Sequence, residues 1–193
     1  MAKRIFFSFH YQDVIDFRAN VVRNHWMTKP DREEAGYFDA SVWESARRQG
    51  DTALKRLING ALENTSNTCV LIGSQTYVRP WVRYELFKSF RRRNHLFGVH
   101  INGIKSKDGY VKALGPNPLD YVGVTYSVDG GIATLWEWNG VEWAKYDKID
   151  GSADYGVQVE PQYRGKGFKL VSWYPVFDWN AHDGYHNFSS WVK

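Results

Sequence analysis

The segment TCVLIGS at 68–74 constrains this chain more than any other part of it. It is an apolar run bounded by polar clusters, ENTSNT on one side and SQTYVRP on the other. A strand with one wet face would alternate apolar and polar residues. An unbroken run instead calls for cover on both faces, the situation of strands in parallel sheets. The flanking sequence supplies that cover. Before the run, Leu54, Leu57, Ile58, Ala61 and Leu62 fall on one face of a helix. After it, Pro80 suits the first position of another helix, where a missing N–H costs nothing, and Val82, Leu86 and Phe90 follow at four-residue intervals.

The same alternation extends outward. RIFFSF at 4–9 reads as a first strand, and Val14, Phe17 and Val21 then recur at helical spacing. The polar stretch TKPDREEAG leads into YFDAS, which reads as a short second strand ending at Asp39 and Ser41, with Trp43 in the loop beyond. LFGVHI at 96–101 is a further buried strand. Residues 1–103 therefore read as an α/β core around an open, mostly parallel sheet. From 104 to 193 the texture changes: VGVTYSV, TLWEWNG, EWAKY and KLVSWYPVFDW are strand-like pieces between Gly- and Asp-rich turns. WEWNGVEW carries a hairpin signal at Asn139-Gly140, and GPNP at 115–118 is a rigid turn. With no flexible linker between the parts, this β-rich extension is expected to pack onto the sheet within one compact domain.

Bulk properties exclude some functions. The net charge of +4 is spread among interleaved acids and bases, so no nucleic-acid partner is expected. No run approaches the roughly 18 apolar residues of a membrane span, and MAKRIFFSF lacks a cleavage pattern, so no membrane is expected either. The lone Cys69 sits inside CVLI, excludes an intramolecular disulfide and fits a reducing cytoplasm. Aromatic residues make up 17% of the chain, but rings serve cores, interfaces and stacking sites alike, so the count does not choose among them.

Ligands of open α/β sheets bind beyond the carboxyl ends of the strands. The residues found there are Phe9, His10 and Tyr11, then Asp39, Ser41 and Trp43, then Ser74 with Trp81 and Glu85 on the following helix. Glu85 lies about 60° around that helix from Val82, where it can point along the core edge into a cleft. On position alone the simpler reading is favoured, an acid near a helix N-terminus paired with Arg83 or Lys88. Phe9, Trp43 and Trp81 suit stacking or core packing, and His10 suits a phosphate or ribose contact or a solvated loop. Asp178, His182, Asp183 and His186 lie close in sequence, but Gly184 breaks a helical presentation, so no metal site is expected. Arg91, Arg92 and Arg93 read as a solvated helix end, with phosphate binding or subunit contact as the lesser option.

SQTYVRPWVRYEL resembles the signature of TIR domains that cleave NAD, in which a Ser after a strand is followed by a Trp and, four residues on, a Glu: here Ser74, Trp81 and Glu85. RIFFSF resembles the opening TIR box, with Ser8 and Phe9 in the usual places. FFSFHYQDVIDFR, FDAS, VLIGSQT, WVRYE, GPNP and the terminal DGY and FSSWV resemble, more closely, the TIR proteins of bacterial Thoeris antiphage defence. That likeness spans nearly the whole chain, including an extension ordinary TIR domains lack. Two features depart from the wider TIR pattern: Val82 stands where a Cys often follows the Trp, and the Arg-Asp-Pro-Gly type loop that mediates assembly elsewhere is absent.

The resemblance implies a flavodoxin-like fold and an enzyme, an NAD+ glycohydrolase or ADP-ribosyl cyclase. It would take NAD+ as substrate, need no further cofactor, and use Glu85 for catalysis, with Ser8, Phe9, His10, Asp39, Trp43, Ser74 and Trp81 as candidate substrate contacts. It implies that an unknown phage trigger, with self-association on activation, starts synthesis of a cyclic ADP-ribose isomer, and that this messenger activates an NAD-depleting effector, ThsA. Two rival readings stand beside it: a non-catalytic TIR scaffold acting through assembly and the aromatics of the extension, and an enzyme of similar fold that cleaves other nucleosides.

Overall fold

The computed structural model describes residues 3–38 and 40–193. Its centre is a parallel sheet built from β1 (Lys3–Ser8), β2 (Arg32–Ala35), β3 (Asn67–Ile72), β4 (His95–His100) and β10 (Val176–Asp178). Their spatial order is β2-β1-β3-β4-β10, the flavodoxin-like order 2-1-3-4-5. Every residue of β3 is buried, as its apolar run requires.

Period-two alternation sends neighbouring side chains of these strands to opposite layers. Ile5 and Phe7, with Cys69, Leu71, Phe97 and Val99, pack on one face. They meet Ala19, Val22 and Trp26 of α2 (Arg18–Met27) and Phe188 and Trp191 of α6 (Gly184–Trp191). Phe6, Val70, Ile72 and Leu96 pack on the other. They meet α4 (Asp51–Leu62) through Ile58 and Leu62, and α5 (Pro80–Arg91) through Val82, Leu86 and Phe87. Residues Val122, Val124, Ala133 and Leu135 of the extension belong to this second core.

They come from a small antiparallel sheet of β5 (Val122–Tyr126), β6 (Ile132–Trp138), β7 (Trp143–Lys145), β8 (Asp154–Gly156) and β9 (Gly167–Lys169). β6 pairs with β7 through Trp138↔Trp143, so the Asn139-Gly140 hairpin lies where its turn residues place it. The aromatics of the extension mostly face inward: Tyr146 packs on Phe87 at 4.5 Å, and Trp173 stacks on Phe90 at 6.0 Å. Packing thus accounts for much of the aromatic content.

Several local expectations are corrected. The first helix is not continuous, but splits into α1 (Tyr11–Ile15) and α2, because Phe17 adopts φ 66° and points outward. The cause is Arg18, which turns inward to donate to the Ile104 and Tyr110 carbonyls at 2.9 and 2.7 Å and to pair with Asp16. The second strand is Arg32–Ala35, not YFDAS. Its charged sequence is tolerable at a sheet edge: Arg23 grips Glu34, and Arg32 lies 4.5 Å over the Trp26 ring. Trp43 lies on a helix, α3 (Ala40–Arg48), and not in a loop. KLVSWYPVFDW is not one extension strand, because its VFD portion is β10 and closes the parallel sheet beside β4. The boundary at residue 103 therefore does not separate the two sheets.

The turn GPNP abuts the end of β3. A Cβ on Gly115 would lie 2.1 Å from the Gly73 carbonyl oxygen. Gly115→Ala should therefore destabilise the protein by about 1–3 kcal/mol in urea unfolding, the usual cost of overpacking. Gly60→Ala, in α4 with open space around it, should instead stabilise by about 0.5–1 kcal/mol through helix propensity. Equal effects at the two sites would refute the close approach.

Candidate active site

A cleft of about 390 Å³ opens beyond the carboxyl ends of β1 and β2, where parallel sheets bind ligands. Phe9, His10 and Tyr11 enter it because β1 ends at Ser8 and the chain turns into α1. Gly36 and Phe38 follow β2, Trp43, Glu44 and Arg47 come from α3, and Arg79, Pro80, Trp81, Val82 and Glu85 open α5. Pro80 at the first helical position fixes where α5 begins and hence which of its side chains face the cleft.

Aromatic side chains wall the cleft in two groups. Phe38 stacks on Trp43 at 6.0 Å, Trp43 meets Trp81 edge-on at 6.4 Å, and Phe9 lies 5.1 Å from Tyr37. Behind this wall is Glu85, only 6% exposed. It pairs with neither Arg83, which binds Glu137 at 2.8 Å, nor Lys88, which faces Asp150. Its partner is Ser8, whose Oγ donates to Glu85 Oε2 at 2.6 Å. Burial pushes the Glu85 carboxyl up to about 8, against the opposing pull of the Ser8 hydrogen bond.

Two arginines that sequence reasoning passed over line the same cleft. Arg79 was hidden in a segment read as a turn, and its Nε is buried with no hydrogen-bond partner. Arg47 was hidden by the assignment of Trp43 to a loop. It is exposed, and among the described residues its ion-pair contact is a long 3.5 Å one to Glu44, which leaves it loosely held. His10 is pushed down to about 4 by burial and by the charges of Arg79 and Lys112. It is neutral at physiological pH and can offer a ring N–H, but not a charge.

Phe9, His10, Trp43, Trp81 and Glu85 are thus brought together. Ser8 is fully buried behind Glu85 and does not reach the cleft wall. Ser74 lies to one side of the cleft, where its backbone abuts Gly115. Asp39 lies outside the described residues. Asp13 is a second buried carboxyl nearby, raised by burial to about 6, but it packs under Gly73 and not into the cleft. In the C-terminal His and Asp group, His182 accepts the Asp178 backbone N–H and His186 contacts Asp183. Among the described residues, no group of three or more His, Cys, Asp or Glu is placed to hold a metal. No helix among them is long and apolar enough to cross a membrane.

Because folding raises the Glu85 pKa above its unfolded value, the stability it contributes is full below the unfolded pKa and is lost as pH rises toward about 8. Glu85→Gln mimics the protonated group. Its melting temperature should therefore gain on the parent from about pH 5 to pH 8 and run parallel above that, by calorimetry. A difference independent of pH would show that Glu85 titrates normally.

Residues 6–106 match the model of a family described as Thoeris protein ThsB, TIR-like domain. Along its whole length the chain is similar to a protein of Bacillus cereus (strain MSX-D12) named "Putative cyclic ADP-D-ribose synthase ThsB1". The two are 59% identical over 195 residues, with 100% of each chain covered.

Proposed function

We propose, on the premise that this chain belongs to the Thoeris ThsB family of TIR-like proteins, that it converts NAD+ into nicotinamide and a cyclic ADP-ribose in the cytoplasm during antiphage defence. One observation carries this reading: a buried carboxyl, Glu85, stands behind an aromatic cleft that also holds two arginines.

Each part answers a need of the reaction. The C1′–N bond breaks with its electron pair moving to the nicotinamide ring, which leaves neutral, while positive charge develops on the ribose as in glycoside cleavage. Ionised Glu85 beside that ribose stabilises the cation, and does so strongly because the cleft excludes water. Trp81, Trp43 and Phe9 stack on the nicotinamide and adenine rings. Arg79 and Arg47 hold the pyrophosphate between them. Held in this folded shape, a hydroxyl of the same nucleotide attacks C1′ and gives its proton to Glu85. Positioning of this kind supplies effective molarities of about 10⁵ M or more, enough to outrun water.

The raised pKa adds a control. At neutral pH the carboxyl behind an empty cleft is mostly protonated and held by Ser8, so it is a poor partner for a cation. The cationic nicotinamide ring of NAD+ favours its ionisation on binding. An infection trigger, with self-association, would complete the shift, and the product would diffuse to the effector ThsA. A scaffold role gains some support from exposed Tyr110, Val111 and Leu114, an apolar group available to a second copy.

Glu85→Gln should fold yet lose at least about 100-fold in product formation, measured by mass spectrometry of infected cells. If that variant still makes the cyclic product, the mechanism fails; if defence survives without product, the scaffold reading replaces it. In the activated enzyme, kcat/KM should rise with pH to a plateau with an inflection near 8, set by free Glu85. Arg79→Ala should raise KM about tenfold with a smaller change in kcat, the signature of lost pyrophosphate binding.

A further inference from the structure

The end of the parallel sheet opposite the cleft holds a second cavity, of about 650 Å³, within the range of small-molecule sites. It lies where α5 ends and β4 begins, and the extension closes it from β5 and β8. Phe90, Arg91, Arg93, Tyr126, Tyr155 and Tyr174 provide most of its chemistry, and among the described residues no Asp or Glu lines it. Glu85 is six residues back along α5 from Arg91, about 9 Å of helix rise, so the two sites lie toward opposite ends of one helix on the same face of the sheet.

The end of α5 is built in an unusual way. The Asn94 N–H reaches the Ser89 carbonyl at 3.0 Å and the Arg93 N–H reaches the Phe90 carbonyl at 2.9 Å, the paired bonds of a Schellman cap. The left-handed residue of that cap is normally glycine, but here it is Arg93, at φ 61°. A side chain thus stands where backbone geometry favours none, beside a cavity. Arg91 is engaged, pairing with Asp150 at 3.0 Å and lying 4.7 Å over the Tyr155 ring. The Arg93 guanidinium has no such partner among the described residues. Nor do the hydroxyls of Tyr126, Tyr155 and Tyr174 hydrogen-bond to any described residue. Burial raises all three phenols, Tyr174 to about 12, so they remain donors at every physiological pH.

A free guanidinium, phenol donors and aromatic walls without a carboxylate select an anion carrying a flat ring. We propose that this cavity is a second binding site, for a phosphorylated nucleoside, with Arg93 taking the phosphate and Phe90 and the tyrosine rings enclosing the base. It is independent of the catalytic cleft.

The test is calorimetric titration of the full chain with AMP, with inorganic phosphate, adenosine and a hexaglutamate peptide as comparison ligands. Arg93→Gly is the informative variant. Glycine suits φ 61°, so the variant should melt at or above the parent, yet bind AMP at least about tenfold more weakly. Tyr155→Phe should weaken binding in the same direction. Trp81→Ala, in the other cleft, should leave the site's affinity within about twofold. Phosphate and adenosine should each bind more weakly than AMP. The proposal is overturned if AMP fails to saturate by about 10 mM, if Arg93→Gly binds as the parent does, or if only Trp81→Ala loses binding. It is equally overturned if hexaglutamate binds as well as AMP, since the cavity would then be reading charge alone.

Discussion

Between the first strand and α5, the hydroxyl of Ser8 meets the carboxyl of Glu85 in a place that admits almost no water. A carboxyl there is tolerable only because it has a partner and can stay protonated. The partner exists because strand alternation turns Ser8 to the same face as Phe6, toward α5, while Ile5 and Phe7 face α2 and α6. Glu85 reaches it because Pro80 sets where α5 begins. Shifting β1 by one residue would put Phe7 against the carboxyl. The buried Glu85 carboxyl, the register of β1 and the start of α5 are therefore parts of one arrangement.

α5 links the two ends of the molecule. Its first turns carry Trp81 and Glu85 into the aromatic cleft, and its last turn delivers Phe90 and the arginines to the cavity under the small sheet. The extension is part of the core: Val122, Val124, Ala133 and Leu135 share one hydrophobic cluster with α5 and the parallel sheet.

The sequence was most legible where burial is complete and local signals agree. β3, β4, α4 and α5 follow from apolar runs, periodicity and Pro80. It was least legible where a partner distant in sequence overrides local preference. Arg32–Ala35 is too polar to read as a strand until Arg23 and Trp26 are beside it, and Val176–Asp178 is short and shows its role only against β4. Phe17 breaks a helix on account of carbonyls contributed from residues 104 and 110. The same division holds at the site. Glu85, Trp81, Trp43, Phe9 and His10 could be located from strand ends and motif spacing. The arginines could not, because their value comes from where α3 and the start of α5 converge, and Ser8 was placed correctly in sequence but buried one layer deeper than a ligand contact.

The placement of β10 makes the parallel sheet depend on a long-range closure. β4 cannot complete its pairing until a segment beyond the whole antiparallel sheet in the chain returns to it. Such non-local closure is slow, because loop entropy is lost before any contact is gained. During that interval β4 presents a bare edge of backbone donors and acceptors beside the apolar faces of Phe97 and Val99, the kind of surface on which strands of other chains can add. Pairing with Val176–Asp178 removes that edge. This last strand in the chain therefore guards against aggregation as much as it serves the sheet as a neighbour.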